Sequence, residues 1–481
     1  MKICVLLPDY SASTIDYQHY DPPRNLSALL PTHTVHHVAL NKLTTYKQLK
    51  QLARQNYDIF VNLCEGYLDW DTPSIDVIQS LDLLNLPYTG PPAHLYDPSK
   101  ALMKYVAYTA GVRTPAYGLV KNASDARALA ARLQFPLFVK PSHSGDSLGV
   151  DDASLVHDET ALLAKVNTAL AEYDELLVEE YVDGREFTVL VMGNANVYSP
   201  CTALLPVEYR FPEGRSFKTY ALKTSELHPE ANVPVRDEHL RTQLQQAALR
   251  IFKAFGGVGY ARLDFRMDAS HELFFLEINF TCSVFYSDGY EGSADHILKY
   301  DGIGQAGFAE HIIAEGIARH QRKQRPYRMQ GDGVSGYGIF ATRDLIEGDM
   351  VYRGEEAAHR LVTRRHVHAH WRTDDQRDFR RYALPISDHV YLLWNENPSD
   401  WSPQNHSCNP NTAYDGLNVI ATRSIAVGEE LTLDYACLMD EESESFECSC
   451  GSANCRKIIR GVRGNSISAF DTTRIRTAVD T

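Results

Sequence analysis

The sequence predicts a multidomain chain: an α/β beginning, an α+β middle and a mostly β end. Three observations lead there. At 481 residues the chain is longer than one hydrophobic core organises, because domains typically run to ~100–200 residues. Its first part alternates short β-rich runs with helical patterns and then crowds strands together. Five of its nine cysteines fall between Cys408 and Cys455, a clustering that suggests metal rather than a disulfide framework.

In chain order, Met1 to Tyr10 (MKICVLLPDY) reads as a first buried strand and lacks the apolar core and cleavage site of a secretory signal. Helical patterns over Tyr46 to Gln55 and Ser74 to Leu84 flank the run DIFVNL, which implies parallel strands with crossover helices. From Pro136 the runs PLFVKP, LLVEEYV, REFTVLVMG, ARLDFRM and LFFLEINF follow closely, and antiparallel sheets in an α+β arrangement fit them better. The polar, basic stretch HQRKQRPYRMQGDG, His320 to Gly333, marks the main boundary, with a linker expected over 319–333. Short strands and turns then run through 334–447, a cysteine-rich module spans 448–461, and 462–481 is a tail. His366, His368 and His370 alternate as on one strand face. With no carboxylate or cysteine close by, they read as a solvated loop before a metal site.

Apolar residues make up 44% and charged residues 23%, with 18 Phe, 27 Tyr and 4 Trp, a globular composition. The formal charge is −15. From Val334 onward 16 Lys and Arg stand against 22 Asp and Glu, a net of −6 that leaves −9 for the first part. Neither part has the basic field of a nucleic-acid binder. No run approaches ~18 uninterrupted apolar residues, so no spanning helix or membrane partner is expected. The expectation is a soluble, cytoplasmic protein; its oligomeric state stays open, a homodimer being one option.

Asp264, Glu277 and Asn279 fall on two expected strands joined by the turn Asp268 to His271. Residues two apart share a strand face, so Glu277 and Asn279 point together and a hairpin brings Asp264 opposite. Such hard oxygen ligands suit magnesium holding a nucleotide's phosphates. Lys140 ends the run LFVK and precedes a Gly/Ser loop, Pro141 to Gly149, that can wrap phosphates with its N–H groups. Taken singly these are ordinary strand-end and loop features; their order carries the inference. Asn85 to Gly90 (NLPYTG), Asp97 to Lys100 (DPSK), FVKPSHSGDSLGV, VEEYVDGREFTVLVMG, FKTYALK, RLDF and FLEINF together resemble the D-alanine:D-alanine ligase branch of the ATP-grasp family, over roughly Met1 to Gly316. The resemblance implies an ATP-grasp fold over 1–318, with an α/β pre-domain at 1–95 and a nucleotide-binding core at 96–318. It implies an acyl phosphate made from a carboxylate and ATP, then attacked by an amine. It carries Lys100, Lys140 and Lys223 to the phosphates, Glu179, Tyr181 and Glu186 to adenine and ribose, Asp264, Glu277 and Asn279 to Mg²⁺, and Arg262 to the developing oxyanion. Asp146 stands where dipeptide-forming members carry serine, Thr224 where they often carry tyrosine, and Phe280 to Ser283 lacks the usual Pro-Gly.

Cys448-x-Cys450-x4-Cys455 gathers three thiols, and Cys408 in NHSCNPN supplies a natural fourth. Four thiolates make a closed, structural zinc site. Gly336-Tyr337-Gly338, Asn405 to Asn411 and Gly428 to Tyr435 (GEELTLDY) follow in the order and spacing of SET-domain methyltransferases, and the cysteine cluster looks like their post-SET zinc module, over roughly Val334 to Gly461. From that resemblance Gly336, Tyr337, Gly338, Asn405 and His406 cradle S-adenosylmethionine (SAM), and Tyr435 lies beside the transferring methyl. The expected protein is thus a ligase joined to a SAM-dependent N-methyltransferase, with an amino-acid-like small molecule or a lysine-containing acceptor as substrate. The competing readings are a protein-lysine methyltransferase whose first half only binds nucleotide, and a ligase whose second half is an interaction module.

Overall fold

The computed structural model describes residues 1–11, 21–66, 71–143, 148–195, 199–217, 231–331, 336–356, 359–394, 402–441 and 443–461. The chain divides into two compact units, Met1–Gln321 and Arg322–Thr481.

The first unit opens with β1 (Lys2–Pro8), β2 (Thr34–Leu40) and β3 (Ile59–Asn62), a parallel sheet ordered β2-β1-β3. Ile3, Cys4, Val5 and Leu6 are all fully buried, as a strand covered on both faces requires. The crossover from β2 to β3 carries α1 (Thr45–Leu52), and α2 (Ile75–Leu83) follows β3 and leads back to Tyr88, which forms a parallel bridge with Phe60. Next comes α3 (Lys100–Thr109), started by Ser99, whose hydroxyl accepts from the Leu102 N–H. A four-stranded antiparallel sheet follows, ordered β4 (Tyr117–Val120), β7 (Leu176–Glu180), β5 (Leu137–Pro141), β6 (Leu155–Val156), with α4 (Ala123–Ala130) and α5 (Glu159–Ala169) between its strands.

The larger antiparallel sheet is built on β8 (Arg185–Met192), with β9 (Thr202–Ala203), β10 (Val207–Tyr209), β11 (Asn232–Pro234), β12 (Tyr260–Met267) and β13 (Leu273–Asn279), in the order β11-β10-β8-β12-β13 with β9 beside β8. Phe187, Val189 and Val191 of β8 and Leu263 and Phe265 of β12 pack beneath α6 (Glu238–Ala254). Helices α7 (Ser293–Asp301) and α8 (Gly304–Lys323) close the unit. Gly184, at the turn between β7 and β8, has φ +144°, and a Cβ there would lie 2.1 Å from the Met267 carbonyl oxygen. Gly184→Ala is expected to destabilise the unit by about 2 kcal/mol; an unchanged melting temperature would refute this.

The stretch expected as a linker over 319–333 is largely regular. Helix α8 runs to Lys323, because Arg, Lys and Gln are good helix formers, and β14 (Tyr327–Gly331) pairs with β15 (Tyr337–Ala341). The second unit continues with β16 (Met350–Tyr352), β17 (Leu361–Thr363), β18 (Leu384–Pro385), β19 (Val390–Leu392), β20 (Asn405–His406), β21 (Thr412–Asp415), β22 (Asn418–Ala421), β23 (Thr432–Leu433), β24 (Phe446–Glu447) and β25 (Ile458–Ile459). Its core gathers Ile339, Leu345, Val351, Val419, Leu431 and Leu433.

Two helices interrupt the strands, α9 (Arg364–His370) and α10 (Thr373–Tyr382). The histidine trio therefore lies on a helix, neither on a strand nor in a loop. Thr363 caps it by accepting from the His366 N–H at 3.3 Å, and Val367 buries against Phe379 and Tyr391. His366 and His370 consequently meet one turn apart, with ring centroids 4.8 Å from each other and planes tilted by 46°. No helix among the described residues is long and apolar enough to cross a membrane.

Candidate active sites

In the first unit one cleft draws on every sheet strand that carries an expected charge. Lys140 ends β5, Glu179 lies on the neighbouring β7, and Lys100 opens α3. Asp264 of β12 pairs directly with Glu277 of β13. All five line the cleft, with Tyr181 and Glu186. Asp264 is held by the Thr188 hydroxyl at 2.9 Å and by Arg262 at 3.4 Å. Burial pulls the Lys100 ammonium down to about 8, with Glu277 opposing that fall.

One wall is aromatic. The Phe138 and Tyr181 rings stack with centroids 6.2 Å apart, and Phe217 meets Phe138 edge-on at 5.1 Å. Arg266 lies over the Tyr181 ring at 4.8 Å and pairs with Glu186 at 3.2 Å. Glu179 is buried between two cations: Lys104 and Lys140 each place Nζ 2.5 Å from one of its oxygens. Burial alone would raise this carboxyl, but the two lysines outweigh it and hold it at about 2.

Arg262 and Asn279 sit opposite each other at the end of the hairpin and are not among the residues lining the cleft. The Asn279 Oδ1 accepts from the Thr281 N–H at 2.8 Å. Lys223, Asp146 and Thr224 fall outside the described residues. Lys104, Arg266, Phe138 and Phe217 were not singled out from sequence. Period two along RLDFR does place Arg262, Asp264 and Arg266 on one face, and Lys104 follows Lys100 by one helical turn.

In the second unit β20 pairs in parallel with β23, bringing NHSC beside the strand that leads into Tyr435. Asn411 fixes the junction: its Oδ1 accepts from the Thr432 N–H at 2.8 Å, and its Nδ2 donates to the Glu430 carbonyl at 2.8 Å. The Asn405 amide donates to Glu430 Oε1 at 2.7 Å and to the Tyr337 carbonyl at 3.4 Å. A Cβ on Gly338 would lie 2.4 Å from that same Glu430 oxygen, so this glycine admits the carboxylate. Gly336 has φ +105°, a conformation that suits glycine.

The Tyr435 hydroxyl donates to the Gln404 carbonyl, and its N–H donates to His406 Nδ1 at 3.1 Å. The other ring nitrogen of His406 therefore carries the proton, and it lies 3.4 Å from Cys408 Sγ. Burial raises the Tyr435 phenol above its ordinary range.

The sulfurs of Cys408, Cys448, Cys450 and Cys455 all lie within 4.8 Å of one another. Four thiols at that spacing suit one tetrahedral zinc with Zn–S bonds of about 2.3 Å. The surroundings suit thiolates as well: the Arg456 N–H donates to Cys408 Sγ at 3.3 Å and the Cys408 N–H to Cys450 Sγ at 3.5 Å. Phe446, at the start of the cysteine module, packs against both His406 and Tyr435, with centroids 5.6 and 5.9 Å away. Arg456 also pairs with Asp434. Asn411 and Glu430 lie inside the motifs read from sequence but were given no role there, and Arg456 was not singled out, because their partners Thr432, Asn405 and Asp434 are brought to them only by chain folding.

A cleft with two lysines, paired carboxylates and an aromatic wall over antiparallel strands defines an ATP-grasp enzyme. Residues 107–284 match the family described as D-ala D-ala ligase C-terminus. A D-alanine–D-alanine ligase of Bordetella petrii is 31% identical over 242 residues, spanning 49% of this chain and 70% of that ligase. The uncharacterized protein y4sG of Sinorhizobium fredii is 32% identical over 247 residues, spanning 50% of this chain and 70% of y4sG. The chain belongs to the D-alanine–D-alanine ligase family. Residues 336–436 match the SET domain, so two enzyme families are joined in one polypeptide. The D-alanine–D-alanine ligase structure from Coxiella burnetii aligns at a TM-score of 0.49 and 19% identity over 67% of this chain and 97% of that one.

Proposed function

We propose that the protein is a bifunctional enzyme, an ATP-dependent carboxylate–amine ligase joined to a SAM-dependent N-methyltransferase. For the ligase, the observation that carries the reading is the convergence of Lys100, Lys140, Asp264 and Glu277 beside an aromatic slot. Phe138, Tyr181 and Phe217 would take the adenine, Glu186 the ribose, and the lysines the phosphates, with Lys223 at the phosphate end. Asp264 and Glu277, with Asn279 beside them, fit magnesium; when bound, the ion neutralises phosphate charge. A substrate carboxylate oxygen bonds to the terminal phosphorus as the bond to the ADP oxygen breaks. The amine nitrogen then bonds to the carbonyl carbon, phosphate leaves, and nitrogen loses a proton. The lysines, with Arg262 toward the oxyanion, hold the charge in place, and phosphoryl transfer needs positioning more than a protein nucleophile. The substrates are an amino-acid-like carboxylate and amine. The segment Phe280 to Ser283, with Phe280 and Cys282 buried, differs from the Pro-Gly pattern of dipeptide-forming members, so the amino-acid pockets differ and the substrate is left as a class.

For the second unit, the backbone at 336–338, Asn405 and His406 would hold SAM, with Tyr435 beside the methyl. An amine nitrogen bonds to the methyl carbon as the carbon–sulfur bond breaks, so alignment supplies much of the rate. The acceptor is a small amine-bearing metabolite or a lysine side chain. Tyr435→Phe is expected to slow methyl transfer by roughly 100-fold while ATP turnover stays near parental; unchanged methylation would remove Tyr435 from catalysis. The proposal as a whole is tested by incubating one preparation with ATP, SAM and a metabolite pool. Release of both ADP and S-adenosylhomocysteine supports it, and release of only one reduces the protein to a single enzyme.

A further inference from the structure

Lys104 is the deepest-set cation of the ligase cleft, and the ligase reading gives it no role. It is 1% exposed, against 8% for Lys140 and 3% for Glu179. Lys140 and Glu179 line the cleft, whereas Lys104, one helical turn beyond Lys100 on α3, is not among the lining residues. The two lysines hold different oxygens of the one carboxylate, each at 2.5 Å. Glu179 thus uses the only amine that could also reach a nucleotide phosphate from β5.

We propose that Lys104 is a positioning residue: it keeps Glu179 paired when Lys140 turns from that carboxylate to the phosphates of bound nucleotide. The proposal rests on the reading of this cleft as the ATP site. Breaking a buried pair by removing one partner leaves an uncompensated charge and is strongly unfavourable. With Lys104 in place, Lys140 can exchange one anion for another while Glu179 keeps a counter-ion. Without Lys104, binding ATP takes from Glu179 its remaining ion-pair partner, so Lys140 stays on Glu179 and the nucleotide binds weakly. The other charged groups acting on this cluster are Lys100 of α3, which Glu179 also attracts, Glu277 of β13 and, beside Lys100, Asp97; the Tyr117 ring of β4 lies 5.4 Å from Lys104 Nζ. None of these replaces Lys104, because Lys100 already opposes Glu277.

The test is calorimetric titration of the full chain with Mg·ATP at several pH values, each variant expressed as a ratio to the parent. Binding by the parent tests the ATP reading itself; a parent that binds no nucleotide overturns that reading and this proposal with it. Lys104→Met is expected to weaken binding roughly 10-fold or more at pH 8. The deficit should narrow toward acid. Losing Lys104 lets the Glu179 carboxyl rise from its depressed position, and its protonation as the pH falls then releases Lys140. Lys104→Arg, which keeps a cation beside Glu179, should restore both the affinity and the parental pH dependence. Thermal melts identify folded variants, and Lys104→Gln substitutes if Lys104→Met does not fold. Parental affinity in the folded variant overturns the proposal, as does a deficit that is independent of pH and not relieved by Lys104→Arg.

Discussion

Glu277→Gln is expected to leave a folded protein whose amino-acid-dependent ADP release falls by about 100-fold, with partial recovery in excess magnesium. Asp264 and Glu277 are paired across β12 and β13 and share the cleft with Lys100 and Lys140. Glutamine keeps the size and an oxygen but removes one negative charge, which weakens a hard cation's hold more than it disturbs packing. A second signature accompanies the loss. Burial pulls Lys100 down to about 8, and Glu277 is the largest influence opposing that fall. Removing Glu277 lets Lys100 fall further, so its charge disappears at lower pH, and the alkaline limb of ATP turnover should move toward neutrality. Methyl transfer should persist as long as its substrate is not the ligase product. ADP release and ligation at the parental rate across a magnesium titration would show that Glu277 is no ligand, and the ATP-grasp chemistry would lose its main support.

Much of this arrangement was legible because it is local or periodic. The apolar runs ICVLL and DIFVNL carry enough hydrophobicity to be buried on both faces, and they form the parallel sheet β2-β1-β3. The hairpin that opposes Asp264 to Glu277 follows from two runs joined by a four-residue turn. The cysteine spacing foretold a cluster, whereas the approach of Cys408, a natural fourth in sequence, depends on chain closure over forty residues. What stayed hidden is set by burial and by distant pairing. Lys104 reads in sequence as an ordinary helix cation, and only the packing of α3 against β13 and the neighbouring sheet makes it a buried counter-ion. Arg266 gains its meaning from Glu186, eighty residues away. In RRHVHAH the alternating histidines mimic a strand, but the Thr363 cap and the single apolar Val367 select a short helix instead. Within the expected linker, polar and basic composition does not prevent regular structure, because Arg, Lys and Gln extend α8 readily.

Removing zinc is expected to abolish methyl transfer while sparing ATP turnover. Purified protein should contain one zinc per chain, and Cys450→Ser should lose it. Folding of small thiolate modules comes largely from the metal, because four close thiolates repel one another without it. The consequence reaches Tyr435 by three routes. His406 accepts from the Tyr435 N–H and presents its protonated nitrogen to Cys408 Sγ at 3.4 Å. Phe446 packs on the Tyr435 ring with centroids 5.9 Å apart, and Arg456, next to Cys455, pairs with Asp434, the residue before Tyr435. Loosening the cysteine module therefore loosens the tyrosine from several sides at once, and a small displacement from the methyl donor's line of attack costs rate steeply. Elemental analysis and S-adenosylhomocysteine release, measured on parent, chelator-treated protein and Cys450→Ser, decide the matter. If metal-free protein keeps a folded second unit and methylates at the parental rate, the four cysteines are neither a zinc site nor a support for Tyr435. If ATP turnover falls in parallel with methylation, the two activities are coupled and the independence expected here is wrong.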